Sequence, residues 1–294
     1  MPLRFVKLNA RDGLELDGAL ACEPSDLACV IHVHGKCGNF YQNSFLQTMF
    51  DVYAEAGISF LAFNNRGHDC VAEGYNDQEL VYTGGSLEIF SQCIDDIAGA
   101  LAFISQRCPG RPIFLQGHSN GCEKLIYYLR QDPDIRVSGA IILSAADSRQ
   151  IHAQFISPRT IEKQISDIVT ETSTMGFLPL SNYGIRNGDA AYFIPIARDA
   201  LLNILTSGAL DIIRFSGDAE IKPIELPAFA YIGGADILRT APVLEVQNII
   251  SRLFDRTEYL VLNGGDHHFH GYEDQVARAV AAWIIDTAMR SNLT

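Results

Sequence analysis

The chain is poor in positive charge and has no long hydrophobic run, no repeat and no paired cysteine motif. Among its 294 residues no window is long and apolar enough to span a bilayer, and the opening MPLRFVKLNARDG lacks the apolar core of a secretory signal. Lys and Arg number 22 against 35 Asp and Glu, a formal net charge of −13, and no basic stripe offsets that field locally. A nucleic-acid partner is therefore not expected, because the field repels polyanions; acidity of this size favours solubility. No Pro/Ser-rich linker, block of like charge, low-complexity tract or solenoid-period repeat interrupts the chain. The seven cysteines (Cys22, Cys29, Cys37, Cys70, Cys93, Cys108 and Cys122) are scattered without CxxC spacing, which argues against a disulfide framework or zinc knuckle. The expectation is a reduced, cytoplasmic protein with no membrane partner.

What is present is an apolar fraction of 48%, enough for one large α/β domain. Short β-type runs alternate with longer helical patterns, the mark of a sheet covered by helices on both faces. Two antiparallel strands, Arg4–Asn9 and Leu14–Cys22, flank the turn Ala10-Arg11-Asp12-Gly13. Strands follow at Ala28–His34, Ile58–Phe63, Pro112–Gln116 and Ser138–Ser144, with helices at Ser44–Ala56, Ser91–Arg107 and Cys122–Arg130. Residues 69–86 read as a surface excursion. The alternation breaks from about 148 to 224 and resumes with strand Pro227–Ile232, helix Val243–Phe254, strand Glu258–Leu262 and helix Gln275–Arg290. This predicts a mostly parallel central sheet built from 1–147 and 225–294, with 148–224 inserted as a helical lid.

Gly117-His118-Ser119-Asn120-Gly121 leaves the strand PIFLQ and opens the helix CEKLIYYLR. A G-x-S-x-G in strand–turn–helix context forms a turn so tight that the residues two before and two after the serine must be small. The turn lifts the Ser119 hydroxyl above the carboxyl edge of the sheet, beside the free N–H groups and positive dipole end of the helix.

A serine nucleophile needs a base, and the base an orienting acid. Asp236 follows PAFAYI in a Gly-Gly-Ala turn, and Asp147 follows the preceding strand in LSAADSRQ. Asp236 is the candidate acid and Asp147 the alternative. His267, His268 and His270 in GGDHHFHG compete as the base; His267 follows Gly-Gly-Asp most directly, and Asp266 reads as a loop-orienting residue. His34-Gly35-Lys36-Cys37-Gly38 leaves an apolar strand and is a candidate oxyanion loop, the backbone N–H groups of Lys36 and Asn120 being the donors. Cys37, Tyr41 and His118 are candidate substrate contacts, with Tyr41 and its neighbour Phe40 equally able to pack in the core. Arg66 and His68 either touch substrate or hold their loop.

HGKCGN, NNRGHD, GHSNGCEK, GGADILRT and GGDHHFHGYED occur in the order seen in α/β-hydrolases, and the chain resembles that superfamily over its length apart from the lid. GHSNGCEKLIYYL, LSAADSRQ and GGDHHFHG are most similar to a group that includes fungal siderophore esterases. The resemblance implies the α/β-hydrolase fold and a triad of Ser119, Asp236 and His267.

The expected chemistry is hydrolysis of a small carboxylic ester, thioester or lactone through an acyl-enzyme, with a small-molecule acyl substrate and no metal or organic cofactor. Acyl transfer on the same triad and a non-catalytic ligand-binding hydrolase scaffold are the alternatives. A metal hydrolase using His32, His34 and the 266–270 histidines is a further rival, but it leaves the serine elbow unexplained. Cys37 and Cys122 invite a redox role, the helix N-terminus favouring a thiolate at Cys122; the plainer reading is that both are small apolar residues. The lid mixes Ile151, Phe155, Ile156, Phe177, Leu178 and Leu180 with Arg159, Lys163 and Arg186, which suits an apolar acyl group with polar decoration.

Overall fold

The computed structural model describes residues 2–132, 134–151, 185–187, 190–192, 196–206 and 223–291. Most of the segment expected as a lid, including Phe155, Ile156, Phe177, Leu178, Leu180, Arg159 and Lys163, lies outside the described residues. So does the side chain of Arg186.

Strands β1 (Leu3–Asn9) and β2 (Glu15–Ala21) pair antiparallel around the Asp12-Gly13 turn, where Gly13 takes a φ of 92°. The chain continues through β3 (Ala28–Val33), α1 (Ser44–Glu55) and β4 (Ile58–Phe63), which joins β2 antiparallel and β3 parallel. The expected surface excursion contains a hairpin, β5 (Ala72–Asn76) with β6 (Glu79–Thr83). Its two-residue turn is Asp77-Gln78, with φ of 48° and 72°. A turn of this kind normally announces itself with Asn-Gly or Asp-Gly, so the sequence concealed it.

Next come α2 (Cys93–Arg107), β7 (Ile113–His118), α3 (Asn120–Gln131), β8 (Val137–Leu143) and the single-turn α4 (Ser148–Ile151). A short ladder of β9 (Ile185–Asn187) and β10 (Ala190–Tyr192) and helix α5 (Arg198–Thr206) precede β11 (Ile224–Gly233), α6 (Val243–Leu253), β12 (Phe254–Leu262) and α7 (Glu273–Ser291). The main sheet has the order β1-β2-β4-β3-β7-β8-β11-β12 and is parallel from β4 onward.

Every residue of β3, β4 and β7 is buried, which explains their continuous apolar runs. Side chains alternate between two cores. Val33, Leu115 and Ile142 pack with Ile97 of α2, Leu125 of α3 and Ile250 of α6 on one face. Val30, Phe114 and Ile141 pack with Phe45 of α1 and Trp283 of α7 on the other. The chain turns one way from β3 to β4 and the other way to β7, so the strand order reverses between β3 and β7. A crevice opens at the carboxyl ends of strands flanking such a reversal. The 148–224 segment enters the chain between β8 and β11, which are neighbours in the sheet.

Arg66, in the loop after β4, is only 7% exposed and is held in an ion-pair network. Its Nε and Nη2 donate to Asp96 Oδ1 at 2.9 and 2.8 Å, its own N–H donates to Asp96 Oδ2 at 2.8 Å, and Nη2 reaches Asp12 at 2.9 Å. Asp96 is fully buried, so losing it strands a desolvated guanidinium. Asp96→Ala is expected to lower the unfolding free energy by about 3–5 kcal/mol, and Asp12→Ala, whose carboxylate is partly solvated, by about 1 kcal/mol or less. Urea denaturation measures both; equal losses would mean that burial does not govern this pair.

Candidate active site

The elbow after β7 has the conformation its glycines imply. Ser119 sits at φ 55° and ψ −128°, a region that strains a residue bearing a Cβ by about 1–3 kcal/mol. Its N–H donates to the Leu143 carbonyl at 3.0 Å, and its carbonyl accepts from Cys122 N–H at 2.9 Å. A Cβ on Gly121 would lie 2.0 Å from the Val33 carbonyl oxygen, and one on Gly117 would lie 2.6 Å from both Cys122 N and Gly121 O. Neither position admits a side chain.

The loop after β3 crosses directly over the serine. A Cβ on Gly35 would stand 2.9 Å from Ser119 Cβ and 3.3 Å from its Oγ. Among the described residues, the Lys36 and Asn120 N–H groups donate to no acceptor; Asn120 opens α3, where the first N–H groups have none within the helix. The Lys36 side chain is turned away, its ammonium donating to the Gly85 carbonyl at 2.8 Å.

Asp236 and His267 come together although 31 positions apart: the imidazole Nδ1 lies 2.9 Å from Asp236 Oδ2, and both side chains are nearly buried. Their loops are joined through backbone bonds, Gly234 N–H to Leu262 O at 2.8 Å and Ala235 N–H to Gly265 O at 2.9 Å. Asp236 Oδ1 also accepts from Leu238 N–H at 2.8 Å. A proton on Nδ1 shared with this carboxylate leaves Nε2 as the basic nitrogen. No hydrogen bond joins Ser119 Oγ to His267 among the described residues; such bonds often tighten only with substrate bound.

The competing residues occupy other places. Asp147 begins the turn of α4, its Oδ1 accepting from Gln150 N–H at 2.8 Å. Asp266 Oδ1 accepts from the His268 and His270 N–H groups at 3.0 Å each, the loop-orienting arrangement, and its Oδ2 meets the exposed His270 ring at 2.7 Å. His268 is held down to a pKa of about 4, by burial first and then by the neighbouring imidazoles.

His118 requires a correction: it lies under the site, not in it. Only 2% of it is exposed, and its Nε2 donates to the His267 carbonyl at 2.8 Å, so it supports the loop that carries His267. Tyr41 is largely exposed; it donates to Asp69 at 2.9 Å and its ring meets Phe40 edge-on. Cys37 takes a φ of 54° and burial pushes its thiol up to about 12. Cys122 is fully buried and burial raises its thiol, as the reading of it as a small apolar residue implies and a thiolate does not. His32 pairs with Gln116 at 2.9 Å, and His34 Nε2 accepts from Asn65 N–H at 3.0 Å, so these imidazoles serve the scaffold. Among the described residues, no group of three or more His, Cys, Asp or Glu side chains is arranged to hold a metal.

Two buried networks escaped the sequence reading. Under the β3 loop, Lys124 pairs with Glu88 at 2.5 Å and donates to Asn65 Oδ1 at 2.9 Å, while Asn65 binds the His34 carbonyl. Beside the elbow, Glu123 accepts from the Ser148 N–H at 2.9 Å and from the Asn120 side-chain amide at 2.5 Å; burial pushes its carboxyl up to about 8. The signal was there in Glu123 and Lys124, adjacent charges between the apolar residues Cys122 and Leu125 of one helix.

The family model described as Hydrolase_4, serine aminopeptidase, S33, matches residues 24–174. Among solved structures, the chain is similar to the α/β-hydrolase GrgF from Penicillium sp. sh18, at 18% identity and TM-score 0.67 with 99% of each chain covered. It is also similar to Est1E from Butyrivibrio proteoclasticus with ferulic acid bound, at 14% identity and TM-score 0.65, covering 96% of this chain and 99% of that one. The Pyrococcus furiosus esterase Pf2001 matches at 14% identity and TM-score 0.59, covering 97% of this chain and 92% of that one. These likenesses show the α/β-hydrolase fold. No curated protein matches the chain by sequence.

Burial, followed by the nearby imidazoles, holds the folded pKa of His118 well below 6.5. In the unfolded chain it takes a proton below about pH 6.5, so this group contributes stability above that pH and loses it as the pH falls. His118→Gln keeps a donor for the His267 carbonyl without the titration. Between pH 7 and 5 the wild type is expected to lose about 2 kcal/mol more stability than the variant in urea melts. Parallel losses would show that His118 charges freely in the fold.

Proposed function

Because the chain belongs to the Hydrolase_4 (serine aminopeptidase, S33) family of α/β-hydrolases, we propose that it is a serine hydrolase acting on a small carboxylic ester, thioester or lactone. The observation that carries this reading is the buried Asp236–His267 hydrogen bond on the same sheet edge as the strained Ser119.

In this reading Ser119 Oγ attacks the acyl carbonyl while His267 Nε2 takes its proton. Asp236 fixes the imidazole tautomer and stabilises the imidazolium. The Lys36 and Asn120 N–H groups hold the tetrahedral oxyanion, each donor being worth about 3 kcal/mol in comparable sites. His267 then protonates the leaving group, and water repeats the cycle on the acyl-enzyme. In the same reading residues 148–224 act as the lid over a core of 1–147 and 225–294; in support, this stretch of sequence falls between β8 and β11, which pair side by side in the sheet. The ferulic acid bound to Est1E gives a reason to include aromatic acyl esters in a substrate screen.

Ester turnover by three variants tests the assignment. Ser119→Ala is expected to lower kcat by about 10⁴-fold or more, and Asp236→Asn by about 10³–10⁴-fold, with the circular dichroism of the folded protein retained. Asp147→Asn is expected to change kcat by less than about tenfold, since its carboxylate holds a helical turn. Near-wild-type turnover by Ser119→Ala would remove the nucleophile, and a reversal between the two aspartates would move the acid to the end of β8.

A further inference from the structure

The amino edge of the sheet, opposite the Ser119 edge, carries a second chemically distinctive cluster. Cys22 directly follows β2, Cys29 lies at the start of β3 and Cys108 ends α2. The Cys22 and Cys108 sulfurs are 2.9 Å apart across 86 positions of sequence, and Ser59 Oγ is 3.7 Å from Cys108 Sγ. Cys29 and Cys108 are buried, whereas Cys22 is partly exposed.

Cys22 also lines an open cleft of about 700 Å³ whose walls include Arg4, Arg107 and Arg111 against the single acid Glu23. Arg111 is fixed there by donating to the Glu23 carbonyl at 3.2 Å, and Arg107 lies 3.9 Å from the Phe103 ring centre. In a chain of net charge −13, a cleft of this sign is unusual. It concentrates small anions beside a sulfur.

We propose that Cys22 and Cys108 form a reversible dithiol–disulfide site, oxidised from the arginine-lined cleft by a low-molecular-weight disulfide that carries carboxylates. The Cys22 sulfur attacks one sulfur of the small disulfide, its proton leaving with the first displaced thiol. Cys108 then attacks Cys22 Sγ and releases the second small thiol. Two protein thiols and one disulfide thus become one protein disulfide and two small thiols. Burial, followed by the hydrogen bond to Cys108, raises the Cys22 thiol, so its exposure to the cleft and not its acidity makes it the first to attack. Hydrogen bonding from Cys29, against burial and with help from Cys22, Ser59 and Arg111, lowers the Cys108 thiol, which suits it to the second step. Closing so long a loop constrains the unfolded chain.

The test incubates the native protein with glutathione disulfide or with cystamine, which is cationic, and maps the disulfides by mass spectrometry under non-reducing conditions. Glutathione disulfide should remove two thiols, yield the Cys22–Cys108 linked peptide and raise the melting temperature. Cystamine should react at least about tenfold more slowly, and the Arg4→Ala/Arg107→Ala variant should lose that preference. Cys22→Ser and Cys108→Ser should abolish the link while ester turnover stays at its basal rate; Cys29→Ser should retain it. No Cys22–Cys108 peptide, or modification confined to the exposed Cys70, would overturn the proposal. Equal rates with both reagents would overturn the assignment of the cleft.

Discussion

The structure turns on the close approach of three backbone segments at the carboxyl edge of the sheet. The end of β3, the elbow after β7 and the first turn of α3 pass so near one another that only glycine fits at positions 117 and 121. That crowding holds Ser119 at positive φ and presses Gly35 against it. An α/β sheet is suited to this arrangement. Parallel strands end at a common level, and the reversal of strand order between β3 and β7 opens a crevice there without disrupting the hydrogen bonding of the sheet below. The strain at Ser119 is tolerable because β7, fully buried between β3 and β8, determines where the turn must go.

Around this edge the chain buries charge to an extent that core stability alone does not require. Arg66–Asp96 and Lys124–Glu88 are each desolvated pairs, and apolar residues of similar volume would often do as well energetically. Their positions suggest what they do instead. Arg66 and Asn65 form the loop after β4, Asn65 binds both His34 and Lys124, and His34 begins the loop that crosses Ser119. A single arrangement satisfies all these donors and acceptors together, so the network selects one conformation of the β3 loop. Glu123 plays the corresponding part at the elbow, joining Asn120 to Ser148, where the inserted segment begins.

The sheet was legible in the sequence because its central strands are apolar on both faces and its helices are periodic. Ile58–Phe63 has the bounds expected of it, and the neighbouring strands differ by a few residues at their ends. The strand-end positions of Ser119, Asp236 and His267 were legible because each follows a strand through small residues. What the sequence withheld was set by contacts distant along the chain. His118 looked like a substrate contact from its place beside the serine, yet its ring points to the His267 carbonyl 149 positions away. The hairpin at 72–83 was hidden by an Asp-Gln turn, and the Cys22–Cys108 approach by the 86 positions between them. No local pattern encodes such pairings; they appear only once the strands are in order.

The central claim is that this edge activates Ser119, and covalent labelling with a fluorophosphonate probe reads that activation directly. The purified protein is treated under mild conditions, and the modified peptide is identified by mass spectrometry. The account predicts a single adduct on Ser119 in the peptide spanning GHSNG, absent from Ser119→Ala. An adduct on another serine, or none while the protein is folded, would contradict it, because the elbow would then be a strained turn without a working nucleophile.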